Sequence, residues 1–307
     1  MRAKIEKTIK PPSMMIRCPG NCGSTLTINS LTFEKYFEIK KDLCEICSHL
    51  SFYELLKLIL EENFMNNAAY AILDAQQIVI LINLTPKEIF ELNVRDFGIP
   101  ENSKILHMNF CGQNAGGLHP LLLHGNEPAR HSFDHIIRLY PAEFINRNKE
   151  ETKIAIMITW VNLTSKEDGY LWDSLLIAIE NFIANKYTQC ILPANICVEA
   201  KMRSVVENYF KKNYADKYFK KYCKNDHDFG YHQCLNHLLP LIVSEAKLPS
   251  LEPDIHSLLN ELKEKRNKVG HRGKTKDELS KCKTSEYLSA AIIGFSYLRY
   301  IEKKLKL

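Results

Sequence analysis

Hydrophobic positions after residue 167 recur with the 3.6-residue period of amphipathic helices. The first stripe consists of Leu171, Leu175, Ile179 and Phe182. Pro193 is expected in the first turn of a second helix, because proline suits that position. This second helix runs through residues 198–209, and three further helical stretches are predicted over residues 235–243, 255–262 and 287–305. Five helices in about 140 residues predict a helical bundle over residues 164–307.

The preceding region, residues 77–163, has a different pattern of short apolar runs rich in β-branched residues. These runs cover residues 78–82, 104–110, 121–123, 136–140 and 154–158. Turn-forming glycine, proline and asparagine residues separate them, and no long helical stretch intervenes. The pattern predicts a small antiparallel β domain.

The N-terminal part has two further segments. Ser51 and Glu54 have the spacing of a capping box, which predicts the start of a connecting helix within residues 51–76. Residues 1–50 form a separate cysteine-containing module. The fold class is therefore α+β and multidomain, with the bundle at the C-terminus.

Composition narrows the class of protein further. The chain has 307 residues, of which 45% are hydrophobic and 25% charged, as in ordinary soluble proteins. No apolar run follows the charged N-terminus, and the longest run, residues 78–84, is too short to span a bilayer. Ten cysteines without a secretory signal suggest a reducing environment. We therefore expect a cytoplasmic protein with no membrane partner.

Positive charge is concentrated in the last third of the chain. Residues 201–224 contain eight basic and two acidic residues, and residues 263–283 contain nine basic and three acidic residues. Such stretches fit a phosphate-binding surface, so RNA is a candidate partner. They fit equally well with solvated helix faces.

Four cysteines lie in two close pairs, Cys18 with Cys22 and Cys44 with Cys47. Two such pairs can present four thiolates to one tetrahedral Zn²⁺ ion. The pattern resembles a zinc ribbon, although a gap of three residues in the first pair is longer than the usual two. Four protein ligands leave no open position for water, so the predicted zinc site is structural. We also expect the zinc module to fold independently of the bundle, with the metal supplying its stability. The alternative is four buried cysteines without metal.

Three neighbouring side chains are suited to the chemistry of RNA cleavage, namely those of Arg266, Asn267 and His271. RNA is cleaved without a metal when its 2′-hydroxyl attacks the adjacent phosphorus. Histidine can move the protons because its pKa is near neutrality, and arginine can hold the charge that develops on phosphate oxygens. Asn267 could position either the phosphate or the imidazole.

The segment that contains these residues, Arg-Asn-Lys-Val-Gly-His-Arg-Gly, resembles the HEPN superfamily motif of Arg, four to six residues and His. The resemblance covers roughly residues 168–307. It implies a metal-independent endoribonuclease of antiviral, abortive-infection or toxin type, which dimerises so that two motifs share one cleft. From the architecture and by analogy, we hypothesise that the N-terminal modules sense a protein trigger or recruit a partner. Arg130 and His135 have the same spacing in the β-type region, so spacing alone is weak support.

Helix geometry sets a condition on this site. Positions five apart on a regular α-helix differ by about 140° around the axis, so Arg266 and His271 do not share a face. We expect Gly270 to end the helix and redirect His271, or a second subunit to complete the site. Glu180 and Glu199 are candidate hydrogen-bond partners of Arg266.

Two interpretations without catalysis remain open: an inert HEPN protein that binds nucleic acid, and a zinc-ribbon adaptor in which the bundle only dimerises. A separate group of side chains has the composition of a metal site: His227, His232 and His237 with Cys223 and Cys234. Their spacing matches no familiar site, so ordinary helix and loop residues are the preferred interpretation.

Overall fold

The computed structural model describes most of the chain in segments. These are residues 3–9, 14–18, 22–28, 36–38, 44, 46, 51–61, 75–85, 87–111, 118–122, 136–143, 152–162, 169–214, 230–272 and 279–307. The contacts divide the chain into two compact units. We call Met1–Met14, Ile28–Ser30 and Asn66–Glu167 the β unit, and Met15–Thr27, Leu31–Met65 and Asp168–Leu307 the helical unit.

The described residues contain nine strands, which are β1 (Ala3–Ile9), β2 (Met14–Arg17), β3 (Thr25–Ile28), β4 (Gln76–Leu84), β5 (Phe90–Asn93), β6 (Ser103–Cys111), β7 (Leu118–Leu122), β8 (Ile136–Glu143) and β9 (Thr152–Asn162). The β unit has a four-stranded sheet of order β1-β4-β9-β6 and a three-stranded sheet of order β5-β8-β7. All of these neighbours pair antiparallel. The antiparallel sheets predicted from the sequence are therefore present.

Alternating burial explains the larger sheet. Along β4, every second residue from Ile78 to Leu84 is buried, and the intervening residues are partly exposed. Its partner β9 buries Ile154, Ile156 and Ile158 in the same manner. A period of two places these side chains on one face, where they form the core of the β unit.

A 3₁₀ helix (Val94–Phe97) belongs to the β unit, and the α-helices of the described residues belong to the helical unit. They are α1 (Phe52–Glu61), α2 (Gly169–Ile183), α3 (Tyr187–Asn213), α4 (Tyr231–Gln233), α5 (Leu239–Glu245), α6 (Pro253–Arg272) and α7 (Lys281–Leu305), with a π turn (Cys234–Leu238) between α4 and α5. Helix α7 packs against α1, α2, α3 and α6. The model thus confirms a C-terminal helical region, and within the described residues no helix is both long and apolar enough to cross a membrane.

Two local predictions about helix starts have different outcomes. The capping box is confirmed: the Ser51 amide donates to Glu54 Oε2 at 3.0 Å, and the Glu54 amide donates to Ser51 Oγ at 3.1 Å. The placement of Pro193 in a first turn is wrong, because α3 already begins at Tyr187.

The structure shows how the interior proline is accommodated. Proline has no amide hydrogen, so Pro193 cannot donate to the Gln189 carbonyl four residues earlier. The Asn181 side chain donates to that carbonyl oxygen instead, at 3.3 Å. The buried residues Ile191 and Ala194 continue the apolar face through the proline.

The module predicted over residues 1–50 contributes to both units. Strand β1 pairs with β4 and belongs to the β unit, as does Ile28–Ser30. Met15–Thr27 and helix α1, which lies in the predicted connector, belong to the helical unit. The segment from Ser51 to Glu61 has apolar residues that are stabilised by packing against other apolar side chains. Of these, Leu55 and Leu56 are fully buried.

Residues 36–38 form a short helical turn on the bundle. The Phe37 ring lies 5.4 Å from Tyr297 and 5.6 Å from Tyr300, measured between centroids. The Tyr36 hydroxyl donates to Glu252 Oε1. Glu38 pairs with Lys304 at 2.5 Å. The cysteine-containing segment is therefore attached to the bundle by aromatic packing and by polar contacts.

Candidate functional site

Arg266 occupies the core-facing stripe of helix α6. The buried residues Ile255, Leu259 and Leu262 precede it on that stripe, and Arg266 lies one turn after Leu262. On helix α6, the buried apolar stripe is therefore followed by the partly buried guanidinium group of Arg266.

The contacts of Arg266 leave part of its donor capacity unused. Its Nη1 donates to Asn267 Oδ1 at 3.1 Å. Its Nε is buried and has no hydrogen-bond acceptor among the described residues. No described carboxylate forms an ion pair with it. A buried donor without an acceptor costs about 1–3 kcal/mol, so this position favours an additional acceptor.

Arg266 lies in the wall of an open cleft of about 410 Å³. The other described lining residues are Tyr170, Ile196, Glu199, Ala200, Arg203, Ser204 and Glu207. Those from Ile196 to Glu207 recur at steps of three and four, so they form one face of α3. This spacing could have indicated from the sequence that Arg203 shares a face with the other α3 residues that lie near Tyr170 in the cleft. Most of these residues are polar, so the spacing does not stand out as a hydrophobic stripe.

The carboxylates of the cleft are held by basic residues other than Arg266. Glu199 Oε2 lies 2.8 Å from Lys263 Nζ, and Glu199 Oε1 lies 3.7 Å from Arg203. Glu207 lies 3.6 Å from Lys211. Glu199 therefore lines the cleft, as anticipated, but its recorded partners are Lys263 and Arg203. Glu180 is not among the described lining residues.

Several lysines of the two basic stretches are engaged within the protein. Lys201 contacts both carboxylate oxygens of Glu302 at 2.7 Å, and Lys212 donates to the carbonyl oxygens of Leu305 and Lys306. Lys283 pairs with Glu261 and Glu286. These contacts remove part of the basic excess from any phosphate-binding surface.

Gly270 does not end helix α6, and the prediction that it does is wrong. The helix continues through His271 to Arg272. A helical glycine costs only about 1 kcal/mol relative to alanine, and four turns of packed helix precede it. The positions of Arg266 and His271 are therefore about 140° apart around one axis. The side chain of His271 lies outside the described residues.

Asn267 is the link between these two positions. It lies next to Arg266, whose Nη1 it binds, and one helical turn before His271. Residues four apart on a helix share a face, so Asn267 and position 271 form one stripe beside that of Arg266. The second Arg-x4-His match, Arg130 and His135, lies outside the described residues.

Three of the four predicted zinc ligands come together in the helical unit. The sulfur atoms of Cys18, Cys22 and Cys44 all lie within 4.8 Å of one another, and those of Cys22 and Cys44 are 3.5 Å apart. Sulfurs bound to one tetrahedral zinc at about 2.3 Å would be separated by roughly 3.8 Å. The cluster therefore fits a metal ion. Cys47 lies outside the described residues.

Local backbone geometry explains how the first pair forms. The Cys18 amide donates to the Ser24 carbonyl at 2.9 Å, which holds the end of β2 beside the start of β3. Gly23 has a φ of +77°, a conformation that glycine adopts without strain. The Ser24 hydroxyl lies 2.9 Å from Cys22 Sγ and 3.2 Å from Cys44 Sγ.

Comparisons with family models, with curated proteins and with solved structures found no significant match for this chain. The class of protein is thus defined by its own residues: an α+β chain with a cysteine cluster suited to a metal and a cleft that contains Arg266.

Proposed function

We propose that the chain is a HEPN-type endoribonuclease that cleaves RNA without a catalytic metal. The observation that carries the proposal is the position of Arg266 in a cleft, with a buried donor left over and no described carboxylate paired with it. A phosphate oxygen of RNA would supply the acceptor. Biologically, an antiviral, abortive-infection or toxin-type effector fits this activity, and the N-terminal segments would respond to a trigger.

The reaction assigns one role to each motif residue. The 2′-oxygen forms a bond to phosphorus and the bond from phosphorus to the 5′-oxygen breaks. His271 moves the protons between these two oxygens, so the products are a 2′,3′-cyclic phosphate and a 5′-hydroxyl. Arg266 stabilises the charge on the phosphate oxygens, and Asn267 holds the guanidinium through its 3.1 Å hydrogen bond.

A composite site formed by two copies of the chain would bring together an arginine and a histidine that the geometry of α6 separates within one copy. Because α6 continues from Arg266 to Arg272, positions 266 and 271 of one copy lie about 140° apart around the helix axis. Exposed apolar side chains lie on α2 and α3 at the cleft, with Tyr170 64% and Ile196 36% exposed. Such a surface fits a second copy, which would cover these residues and bring its own His271 to Arg266.

Purified protein incubated with single-stranded RNA in EDTA tests the activity. We expect cleavage with 2′,3′-cyclic phosphate ends, lost in Arg266→Ala and in His271→Ala. His256→Ala, on the same helix and outside the motif, is the matched control and should retain activity. Equal cleavage by all four proteins would identify a contaminating nuclease and contradict the proposal.

Mixing the two inactive variants tests the composite site. In a two-fold dimer of Arg266→Ala with His271→Ala, one site receives Arg266 from one copy and His271 from the other. About a quarter of wild-type activity should therefore return after equal mixing and exchange of subunits. A mixture as inactive as its components, from variants shown to exchange, would exclude the shared site.

The second candidate is a HEPN-like protein that binds RNA or a partner without cleaving it. The uninterrupted helix between Arg266 and His271 favours this alternative. RNA binding that depends on Arg266 and Arg203, with no cleavage under any activating condition, would support it.

A further inference from the structure

The π turn Cys234–Leu238 is an unusual feature of the helical unit. A π turn carries one residue more than an α-helical turn, and such turns are rare. They are frequently found at functional sites. The side chains that this turn realigns are therefore of interest.

The π turn brings two histidine rings together. In a regular α-helix, His232 and His237 would lie about 140° apart, as positions separated by five do. The additional residue places them on one face, as positions four apart would be. Their ring centroids are 5.8 Å apart with an interplanar angle of 62°, and both residues are exposed.

Hydrogen bonds to helix α6 hold the π turn in place. The side-chain amides of Asn236 and Asn260 donate to each other, at 3.3 and 3.2 Å. Asn236 Nδ2 also donates to the His232 carbonyl at 3.0 Å. The Tyr231 hydroxyl donates to the Leu259 carbonyl at 2.9 Å. The backbone that carries both histidines is therefore positioned before any ligand binds.

We propose that His232 and His237 bind a divalent transition-metal ion at a site separate from the cysteine cluster. Neutral imidazole is a common ligand of zinc, nickel and copper ions. With metal–nitrogen bonds of about 2 Å and ligand angles of about 90–110°, two imidazoles on one ion have centroids roughly 4.5–5 Å apart. The exposed rings, now 5.8 Å apart, would approach each other by about 1 Å through side-chain rotation. Water would complete the coordination, because both rings face solvent.

Cys234 does not belong to this site. Its side chain is fully buried, whereas both histidines are exposed, so its sulfur does not share the solvent-facing side of the two rings. The ligand set is thus two histidines, which predicts an exchangeable ion and not a structural one.

Nickel titration of the full-length protein tests this site. The protein is first loaded with one equivalent of Zn²⁺, which the tighter thiolate cluster takes up, and Ni²⁺ binding is then measured by calorimetry. We expect one Ni²⁺ per chain, with an affinity at least tenfold lower in His232→Gln and in His237→Gln. Gln233→Ala, an exposed neighbour on the same turn, should bind within about twofold of the wild type.

Circular dichroism of each variant shows whether it is folded, and the two histidine variants are scored independently. Wild-type affinity in either folded histidine variant would overturn the proposal, as would the absence of Ni²⁺ binding to the zinc-loaded wild type. A loss in both histidine variants together with binding by Gln233→Ala supports it. Neither result depends on ribonuclease activity.

Discussion

Phe37 packs edge-on against Tyr297, with the two ring centroids 5.4 Å apart and the ring planes at 66°. In the sequence Phe37 lies between Cys22 and Cys44, and Tyr297 belongs to α7. Phe37, from the segment that connects the two halves of the cysteine cluster, is thus part of the bundle core. The expectation that the cysteine module is independent of the bundle is not supported by these contacts.

Replacing Phe37 with alanine should destabilise the helical unit. Phe37 is 7% exposed and touches both Tyr297 and Tyr300, so its removal leaves a cavity in an aromatic cluster. We expect the free energy of unfolding to fall by about 3 kcal/mol. Chemical denaturation followed by circular dichroism measures it. Ile46→Ala, at a 68% exposed position of the same segment, should change it little.

Metal removal should lower the melting temperature of the bundle as well as that of the cysteine segment. If the cluster of Cys18, Cys22 and Cys44 holds an ion, chelation releases the segment that carries Phe37. We expect EDTA to lower the helical melting transition by several degrees. Cys44→Ser should melt at the lower temperature with or without EDTA. An unchanged helical transition in a protein shown to have lost metal would contradict this coupling.

In the ion pair between Lys201 and Glu302, replacing the glutamate should lower the stability of the protein more than replacing the lysine. The Lys201 side chain is 1% exposed, whereas that of Glu302 is 26% exposed. Glu302→Gln removes the charge that neutralises a buried ammonium, at an expected cost of about 3 kcal/mol. Lys201→Met leaves a carboxylate that water can reach, so we expect a cost of about 1 kcal/mol. Equal costs by denaturant unfolding would show that burial of the ammonium is not decisive.

Acid should weaken the attachment of α1 to α7 through Glu286. Burial by itself raises the pKa of this carboxyl, but hydrogen bonds and charges from Lys283 and Lys57 lower it below its ordinary value of 4.5. A lowered folded-state pKa stabilises the protein fully above pH 4.5, and this contribution disappears as the pH falls through the folded pKa.

Glu286→Gln should therefore be less stable than the wild type at neutral pH. The difference should shrink as the pH falls below 4.5, where the wild-type carboxyl becomes protonated. Thermal melts of both proteins across this range measure the difference. A gap that stays constant with pH would exclude ionisation of Glu286 as its cause.

Gly294 permits the close approach of α7 to α6. A Cβ atom at this position would lie 3.1 Å from Leu259 Cδ1. Gly294→Val should therefore destabilise the bundle by about 2 kcal/mol through overpacking. In the background of Leu259→Ala, which removes the opposing methyl groups, the same substitution should cost less. Strict additivity of the two changes would show that the contact does not limit the packing.

The helices and most strands could be predicted from the sequence because burial imposes a period on their residues. Ile154, Ile156 and Ile158 reveal β9 in this manner, and Leu171, Leu175 and Ile179 reveal α2. Strand β5 was not predicted, because only Phe90 and Leu92 of its four residues are buried. Strand β1 was missed because its charged residues alternate with few apolar ones and its pairing with β4 is distant in sequence.

The candidate site was predictable in its residue types but not in its geometry. The motif locates Arg266 and Asn267, yet the cleft beside Arg266 depends on α3, about sixty residues earlier, whose Glu199 and Arg203 line it. The end of α6 could not be inferred from Gly270, because glycine permits a helix end without requiring one. The π turn has no local sequence pattern at all.

Each of the two units is built from segments that are far apart in the sequence. This arrangement affects how the protein folds during synthesis. Strand β1 cannot pair until β4 has been made, and Lys57 of α1 reaches its partner Glu286 across 229 positions. Contacts between such distant positions form slowly, because a long loop must close before they do. The helical unit therefore reaches its native state only after α7 has left the ribosome. Until then α1 exposes the apolar face that carries Leu55 and Leu56, which a chaperone can bind during translation.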